Sequence, residues 1–355
     1  MENLSDEVIL QILTRLPVKF LTRARTVCKR WYYLCLEDYF SELYNSVSAD
    51  KAVVLLELTL TEQCPSGLIC VDNARSVSEL SLDFLKDRVK IRATCNGLLC
   101  CSSIPEKDVY YVCNPLTREF RLLPRWRERS PTRFCPQGEV ALVGLACDVL
   151  SKKFVVVFAG FYRFFSRRAF GAFVCHVFDS SSNKWRKFTS YQDDDFSYMN
   201  KNQVVFLNGS LHWLTSTCSH ILALDLEYDV WKKMSLPEGV SREYGIRLYL
   251  LDRNGFLSVI QISGSWMAIW VLEDYSRELW SLVDKVSLRC IEWTLPAIFP
   301  ISQSSEDVIL VTFDQVLVYH LPTRLWKRVH SVRDKSGMPL WCSAFAFKCR
   351  MTPCT

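Results

Sequence analysis

The sequence lacks any apolar run long enough to cross a membrane. The longest runs, such as Val53–Leu56 and Val155–Gly160, are far short of the roughly 20 residues that a membrane helix needs. The amino terminus carries Asp6 and Glu7, which is the opposite of the basic start of a signal peptide. We therefore expect a soluble protein of the cytoplasm, the nucleus or both, with no membrane partner.

The sequence is also poor in the patterns that build metal sites, nucleophiles and phosphate loops. It has 5 histidines and 12 glycines, with no Cys-x-x-Cys, His-x-x-x-His or Gly-x-Ser-x-Gly pattern. Zinc sites need four closely spaced ligands, hydrolase nucleophiles favour the Gly-x-Ser-x-Gly turn, and phosphate loops are rich in glycine. These absences predict no metal, no cofactor and no catalytic residue.

Neither the charge nor the cysteine content points to a special environment. The net charge of +5, from 43 basic and 38 acidic residues, is too mild to predict a nucleic-acid partner. The 16 cysteines suggest disulfides at first sight, but a chain of 355 residues can bury a core without them. We expect mostly reduced thiols, with several buried in apolar runs, namely Cys100, Cys113, Cys147 and Cys175.

The first 45 residues have a helical period. Ser5 can cap a first helix with Asp6 and Glu7 in its first turn, and Pro17 ends that helix. The apolar stripe of this helix consists of Val8, Ile9, Ile12, Leu13 and Leu16. Further apolar periodicity predicts a compact unit of three helices. So small a unit rarely folds alone, so it either caps the rest of the chain or docks on a partner.

Beyond residue 50 the pattern changes to short β-strands joined by turns. Val204–Leu207 and Leu211–Leu214 flank Asn208-Gly209, and Leu248–Leu251 and Phe256–Ile262 flank Asn254-Gly255. Asn-Gly between apolar runs is a strong hairpin signal. No long helical pattern interrupts residues 90–350, so a parallel α/β fold is disfavoured.

An internal repeat predicts the architecture. A polar residue at the end of an apolar strand is followed six positions later by an aromatic residue, in five places: Asn114 and Phe120, Asp179 and Trp185, Asp225 and Trp231, Asp274 and Trp280, His320 and Trp326. The anchors recur at intervals of 65, 46, 49 and 46 residues, which fits a propeller blade of four short strands. We predict a propeller of six or seven blades; an open β-sandwich array is the alternative.

The ends of the β region fit such a ring. Val53–Leu60 and Leu68–Asp72 can supply strands of a first unit, and Ser343–Lys348 can close it, because closure removes exposed strand edges. The predicted fold class is therefore α+β, with a helical unit at residues 1–45 and an all-β propeller at residues 46–355.

The N-terminal residues resemble the F-box motif. The resemblance rests on Leu4–Leu13, then Arg15-Leu16-Pro17-Val18-Lys19, then Val27-Cys28-Lys29-Arg30-Trp31, and Ser5 stands where the family usually has proline. In that family the helices dock on a Skp-type adaptor. The resemblance implies these adaptor contacts: Leu4, Val8, Ile12, Leu16, Pro17, Val18, Leu21, Val27, Cys28 and Trp31. Some of the apolar residues must form the unit's own core, and Trp31 and Leu13 are the first candidates.

The β region resembles the plant F-box-associated, kelch-like domain. The resemblance rests on Cys95–Cys100 and Val112–Thr117, here called the two signature segments. Together the two resemblances imply a non-catalytic substrate receptor of a Skp–cullin–F-box ubiquitin ligase, whose propeller recruits a protein. A non-proteolytic scaffold that holds the adaptor in another complex is the alternative. A propeller enzyme is a third reading, but Asp179 and Asp225 lack the sialidase pattern and are interpreted as turn residues.

A basic stretch is the candidate recruitment site. Arg and aromatic side chains favour protein contacts, and Arg125, Trp126, Arg127, Arg129 and Arg133 combine them. A second basic group, Arg163, Arg167 and Arg168, lies among aromatic residues. We expect both groups on one rim of the ring, although solvated arginines without a specific role are the plainer interpretation of the first.

Overall fold

The computed structural model describes a helical unit followed by a ring of β-sheets. It describes residues 4–16, 18–24, 26–48, 53–61, 64–72, 77–104, 109–125, 142–161, 173–190, 199–215, 219–240, 246–289, 291, 298–333, 337 and 340–354.

The described part of the helical unit contains four helices. They are α1 (Asp6–Thr14), α2 (Val18–Ala24), α3 (Lys29–Leu34) and α4 (Asp38–Ser48). Ser5 caps α1 as predicted, because its side-chain oxygen accepts the Val8 N–H at 3.4 Å. The three predicted helices are present, and α4 runs across residue 45, where the sequence divides the chain. The division into residues 1–45 and 46–355 stays a prediction.

The described strands form six four-stranded antiparallel units, called blades 1 to 6. Blade 1 contains β1 (Val53–Thr61), β2 (Cys64–Asp72), β3 (Val77–Leu80) and the last strand of the chain, β24 (Trp341–Phe347). Blade 2 contains β4 (Arg88–Cys95), β5 (Leu98–Ile104), β6 (Tyr110–Asn114) and β7 (Glu119–Leu122), and blade 3 contains β8 (Leu142–Asp148), β9 (Lys153–Phe161), β10 (Phe173–Asp179) and β11 (Lys184–Ser190). Blade 4 contains β12 (Met199–Leu207), β13 (Ser210–Thr215), β14 (Ile221–Asp225) and β15 (Val230–Met234), and blade 5 contains β16 (Arg247–Arg253), β17 (Phe256–Ile262), β18 (Trp266–Asp274) and β19 (Leu279–Ser287). Blade 6 contains β20 (Phe299–Gln303), β21 (Asp307–Val311), β22 (Gln315–His320) and β23 (Leu325–Ser331).

The ring is closed by strands from both ends of the β region. β24 pairs antiparallel with β1 from Val53↔Phe347 to Thr59↔Trp341, as the sequence predicts for residues 343–348. The innermost strands β4, β8, β12, β16, β20 and β24 contact one another in this cyclic order. One apolar core cluster fills each of the six spaces between neighbouring blades. The propeller prediction is confirmed, and no open array is present among the described strands.

The repeated anchors mark the turn between the third and fourth strands of a blade. Each anchor ends or follows the third strand, and the residue four positions later has positive φ: Arg118, Asn183, Asp229, Glu278 and Arg324. Asp179 and Asp225 accept backbone N–H groups of these turns, so both are turn residues as predicted. The following tryptophans join neighbouring blades. The Trp185 indole N–H donates to the Pro124 carbonyl at 2.6 Å, and that of Trp280 to the Ser235 carbonyl at 3.1 Å.

The six inner strands all run in the same direction along the axis of the ring. The two faces of the ring are therefore different. We call the side where these strands begin the start face, and the side where they end the end face. The predicted Asn-Gly hairpins join β12 to β13 and β16 to β17 and lie at the end face. β1 also begins there, because Val53 is paired with Phe347 at the end of β24.

A buried carboxyl group joins blades 1 and 2. Glu57 on β1 is 2% exposed, and its Oε1 accepts the Ile91 N–H of β4 at 2.9 Å. Burial raises the pKa of Glu57 from 4.5 to about 6, against the opposing effects of that hydrogen bond and of the nearby Lys90 and Arg92 charges. The folded state therefore holds this proton more tightly than the unfolded chain does.

Replacing this carboxyl group should change how stability depends on pH. Because the folded pKa is raised, the free energy of unfolding of the wild type falls as pH rises from 4.5 to about 6 and stays lower above it. The shift corresponds to about 2 kcal/mol. Glu57→Gln should therefore gain about 2 kcal/mol relative to wild type between about pH 4 and about pH 7.5, measured by chemical denaturation. Glu227→Gln, at an exposed turn, is the control. If the difference in the free energy of unfolding between Glu57→Gln and wild type is the same at both ends of this pH range, the account is contradicted.

Candidate functional site

Helix α1 divides its apolar residues between two sides. Ile9 and Leu13 are 1% and 0% exposed and pack in the helical core with Phe40 of α4. Val8 and Ile12, one position earlier in each case, are both 42% exposed. Because residues four apart lie on one side of a helix, Val8 and Ile12 form an exposed stripe beside a buried one. Leu4, 41% exposed, precedes them at the same spacing.

An arginine holds the start of α3 against the start of α1. Arg30 donates from Nε to Asp6 Oδ1 at 2.7 Å and from Nη2 to the Leu4 carbonyl at 2.8 Å. Val27, which is 51% exposed, and the exposed Cys28 immediately precede α3. The contacts of Arg30 therefore bring these residues near the exposed stripe of α1. The sequence reasoning missed Arg30, because its partners lie 24 and 26 positions away.

The ten predicted adaptor contacts differ in how exposed their side chains are. Five are exposed: Leu4, Val8, Ile12, Val27 and Cys28. Leu16 and Trp31 are half-buried and pack against the helical core. Pro17 and the side chain of Val18 lie outside the described residues. Leu21 is 3% exposed inside that core, so we correct its assignment, since a side chain that holds the helices together is not presented to a partner.

Other apolar side chains of the helical unit are exposed although the sequence reasoning did not select them. They are Phe20, Tyr32, Tyr33, Leu36, Tyr39 and Val47, each between 41% and 62% exposed. Single exposed apolar residues need no explanation, but a concentration of them marks an interaction surface.

The five predicted adaptor contacts that are exposed, Leu4, Val8, Ile12, Val27 and Cys28, are called the docking stripe.

The inner strands surround a central channel of about 1140 Å³. Phe299 at the beginning of β20 and Phe313 after β21 line it near the start face, and they are 42% and 48% exposed. Lys90 of β4 also lines that half. Near the end face, the Lys348 Nζ lies 2.5 Å from Asp252 Oδ2, so these two charges neutralise each other. The start face therefore carries apolar and basic groups together.

The predicted recruitment residues fall mostly outside the described part of the chain. Arg125 is described and exposed, whereas Trp126, Arg127, Arg129, Arg133 and the group Arg163, Arg167 and Arg168 are not described. Two arginines that precede Arg125 in the chain have structural partners. Arg118 pairs with Asp83 at 2.6 Å, and Arg121 donates to Asn183 Oδ1 at 3.1 Å.

The described residues show no group of three or more His, Cys, Asp or Glu placed to hold a metal ion. His212 is buried, and burial lowers its pKa to about 4, so the ring is neutral at physiological pH. Its Nε2 lies 2.7 Å from the Tyr275 hydroxyl, which fixes it as a core residue joining blades 4 and 5. Within the described ranges, no helix is both long and apolar enough to span a bilayer.

Two family matches cover the chain. Residues 1–42 match the F-box domain, and residues 51–342 match the F-box associated beta propeller domain. Among curated proteins, the F-box protein At5g49610 of Arabidopsis thaliana is 56% identical, with 98% of this chain and 97% of that protein covered. The putative F-box/kelch-repeat protein At1g12870 of the same plant is 24% identical, with 80% and 71% covered.

Solved structures give weaker likenesses. The Nidogen/Laminin complex matches with a TM-score of 0.46 and 11% identity, covering 84% of this chain and 99% of that one. TolB from Acinetobacter baumannii matches with a TM-score of 0.41 and 10% identity, covering 84% and 69%.

The two sides of α1 should respond differently to substitution. Leu13→Ala removes a fully buried side chain and should cost about 3 kcal/mol of helical-unit stability, whereas Ile12→Ala, on the exposed stripe, should cost under about 0.5 kcal/mol. Urea denaturation followed by hydrogen exchange of α1 measures both. Equal costs for the two substitutions would show that the stripe is not exposed.

Proposed function

The chain belongs to the F-box proteins that carry an F-box associated beta propeller domain, and on that premise we propose that it is the substrate-recognition subunit of a Skp–cullin–F-box ubiquitin ligase. In this proposal the F-box, residues 1–45, docks on a Skp-type adaptor and through it on cullin. The propeller, residues 46–355, recruits a protein for ubiquitination. The chain itself contributes no catalytic group and no cofactor, and it acts in the cytoplasm, the nucleus or both.

The docking stripe carries the proposal. Val8 and Ile12 are exposed although they alternate with the fully buried Ile9 and Leu13, so the helical unit is complete without them. Burying exposed aliphatic side chains in an interface releases about 25 cal/mol per Å² of apolar surface. The stripe therefore has the chemistry of a protein contact, and the family supplies the expected partner, a Skp-type adaptor.

The order of the strands supports the proposal that the protein is recruited at the start face. The segments that hold the two basic groups are bounded by Arg125 and Leu142, and by Phe161 and Phe173. Leu142 begins β8, and Phe161 ends β9 at the same end of blade 3 and is paired with Phe173. Leu142, Phe161 and Phe173 therefore lie toward the start face, and we propose that Arg125, Trp126, Arg127, Arg129 and Arg133 bind the recruited protein. An acidic segment of the recruited protein is the expected counterpart.

A scaffold that holds the adaptor in another complex without ubiquitination remains the alternative. It shares the docking stripe and differs in the fate of the recruited protein. A recruited protein that accumulates on proteasome inhibition favours the ligase, and one that does not favours the scaffold. The F-box/kelch-repeat relative supports describing the propeller as kelch-like, which we also propose.

Charge on the docking stripe should abolish adaptor binding. Val8→Asp with Ile12→Asp places two carboxylates at positions that must lose water on docking, so affinity for a purified Skp-type adaptor should fall at least about 100-fold. Isothermal titration calorimetry measures it.

The matched control alters two exposed apolar side chains of the propeller. Val230→Asp with Leu279→Asp changes residues that are 57% and 53% exposed and should leave adaptor affinity within about twofold. Wild-type affinity in the stripe variant would contradict the proposed docking site.

Reversing the basic recruitment residues should separate recruitment from docking. Arg125→Glu with Arg127→Glu and Arg129→Glu should remove the proteins that co-purify with the wild type under proteasome inhibition, because like charges repel an acidic segment. The adaptor should still co-purify. Quantitative mass spectrometry compares the two sets, and identical sets would exclude these arginines from recruitment.

A further inference from the structure

The carboxyl-terminal residues 349–354, called the tail, form no strand, yet four of the six are buried. Met351, Thr352 and Cys354 are 3%, 2% and 5% exposed. The tail leaves β24 at the end face, beside Cys70 of blade 1, whose Sγ lies 3.9 Å from that of Cys349. Backbone groups buried outside a sheet need partners elsewhere, and the tail finds them on blade 2 and on α4.

The partners on blade 2 belong to the two signature segments. Asn114 Nδ2 donates to the carbonyls of Arg350 at 2.9 Å and Thr352 at 2.8 Å. The Thr352 hydroxyl donates to the Asn96 carbonyl at 2.5 Å. A Cβ on Gly97 would lie 2.3 Å from the Arg350 carbonyl oxygen, so only glycine lets the tail approach. Asn96, Gly97 and Asn114 thus form a cleft for the tail.

The same tail reaches the helical unit. The Met351 N–H donates to Asn45 Oδ1 of α4 at 2.8 Å. The Met351 side chain packs in the helical core with Phe40 and Tyr44, and its Sδ lies 4.0 Å from the Ser41 hydroxyl oxygen. Met351, which follows the strand that closes the propeller, is therefore a core residue of the F-box.

We propose that the tail is an interdomain clamp, seated by Asn96, Gly97 and Asn114 and inserted through Met351 into the F-box core. The clamp holds the docking stripe at a constant orientation to the propeller. Its consequence for ubiquitin transfer rests on the proposed ligase function: a fixed orientation restricts which lysines come within reach of the transferred ubiquitin. In this proposal Asn45, Gly97 and Asn114 act as positioning residues.

The test cuts the covalent link between the units after the full chain has folded. A specific protease site is introduced between residues 49 and 52, the purified chain is cleaved, and gel filtration shows whether the helical fragment stays with the propeller. We expect the cleaved wild type to elute as one complex. In Gly97→Ala the added Cβ displaces the Arg350 carbonyl, and the helical fragment should bind at least about tenfold more weakly. Separation of the cleaved wild type would overturn the clamp.

A glycine in an equivalent turn controls for backbone strain. Gly97 has φ +87°, and Gly255, which also follows an asparagine in an inner hairpin, has φ +90° with nothing within 4 Å of an added Cβ. Gly255→Ala therefore carries the same strain without touching the tail, and its fragments should stay together. If Gly97→Ala and Gly255→Ala retain the helical fragment equally, the clamp is overturned. Equal loss of the fragment in both variants would overturn it too.

A second pair of variants tests the contact with α4. Asn45→Leu removes the acceptor of the Met351 N–H and should release the helical fragment, whereas Asn45→Asp keeps an acceptor oxygen and should retain it. Retention in Asn45→Leu equal to that of the wild type would contradict the role of this contact.

The positioning role has its own readout. In a ligase reconstituted with uncleaved chains, mass spectrometry maps the lysines of the propeller that receive ubiquitin. Gly97→Ala should bind the adaptor as the wild type does and spread ubiquitin over more lysines. An unchanged lysine pattern would contradict positioning. If the uncleaved wild type does not bind the adaptor, the ligase proposal fails, while the gel-filtration result still decides the clamp.

Discussion

The pairing of β24 with β1 is the constraint on which the rest of the structure depends. A ring of blades leaves no exposed strand edge only if its first and last strands share a sheet, and here Val53 pairs with Phe347. That pairing places both the beginning of β1 and the end of β24 at the end face. The helices before β1 and the tail after β24 must therefore meet at this face, where Met351 enters the helical core.

The two faces of the closed ring carry different parts of the molecule. The helical unit and the tail occupy the end face, whereas Leu142, Phe161 and Phe173 of blade 3, which flank the segments that carry the basic groups, lie at the start face. The proposed function requires the chain to hold an adaptor and a second protein at the same time, and effective concentration rises only when geometry permits both contacts. Docking at the end face and recruitment at the start face, as proposed, satisfy that requirement. Phe299 and Phe313 line the central channel near the start face.

The sequence predicted those features whose signals are local. The Asn-Gly hairpins, the Ser5 cap and the Asp-to-Trp repeat each lie within about six residues and depend on turn chemistry, and all appear in the structure. The division of α1 was not predictable, because Val8 and Ile12 fit the same helical period as Ile9 and Leu13. The apolar pattern of α2 likewise does not distinguish Leu21, which lies in the helical core, from an exposed residue. The contacts of Asn114 with Arg350 and Thr352 join residues 236 and 238 positions apart, so no local pattern announces them.

Amide hydrogen exchange of the full chain, with and without a purified Skp-type adaptor, tests the central claim most directly. The account predicts that the adaptor slows exchange in residues 4–16 and 26–33, around the docking stripe, and leaves the start face of the propeller unchanged. Slowed exchange at the start face, with the helices unchanged, would contradict it. So would no change in any segment at adaptor concentrations that saturate another F-box protein.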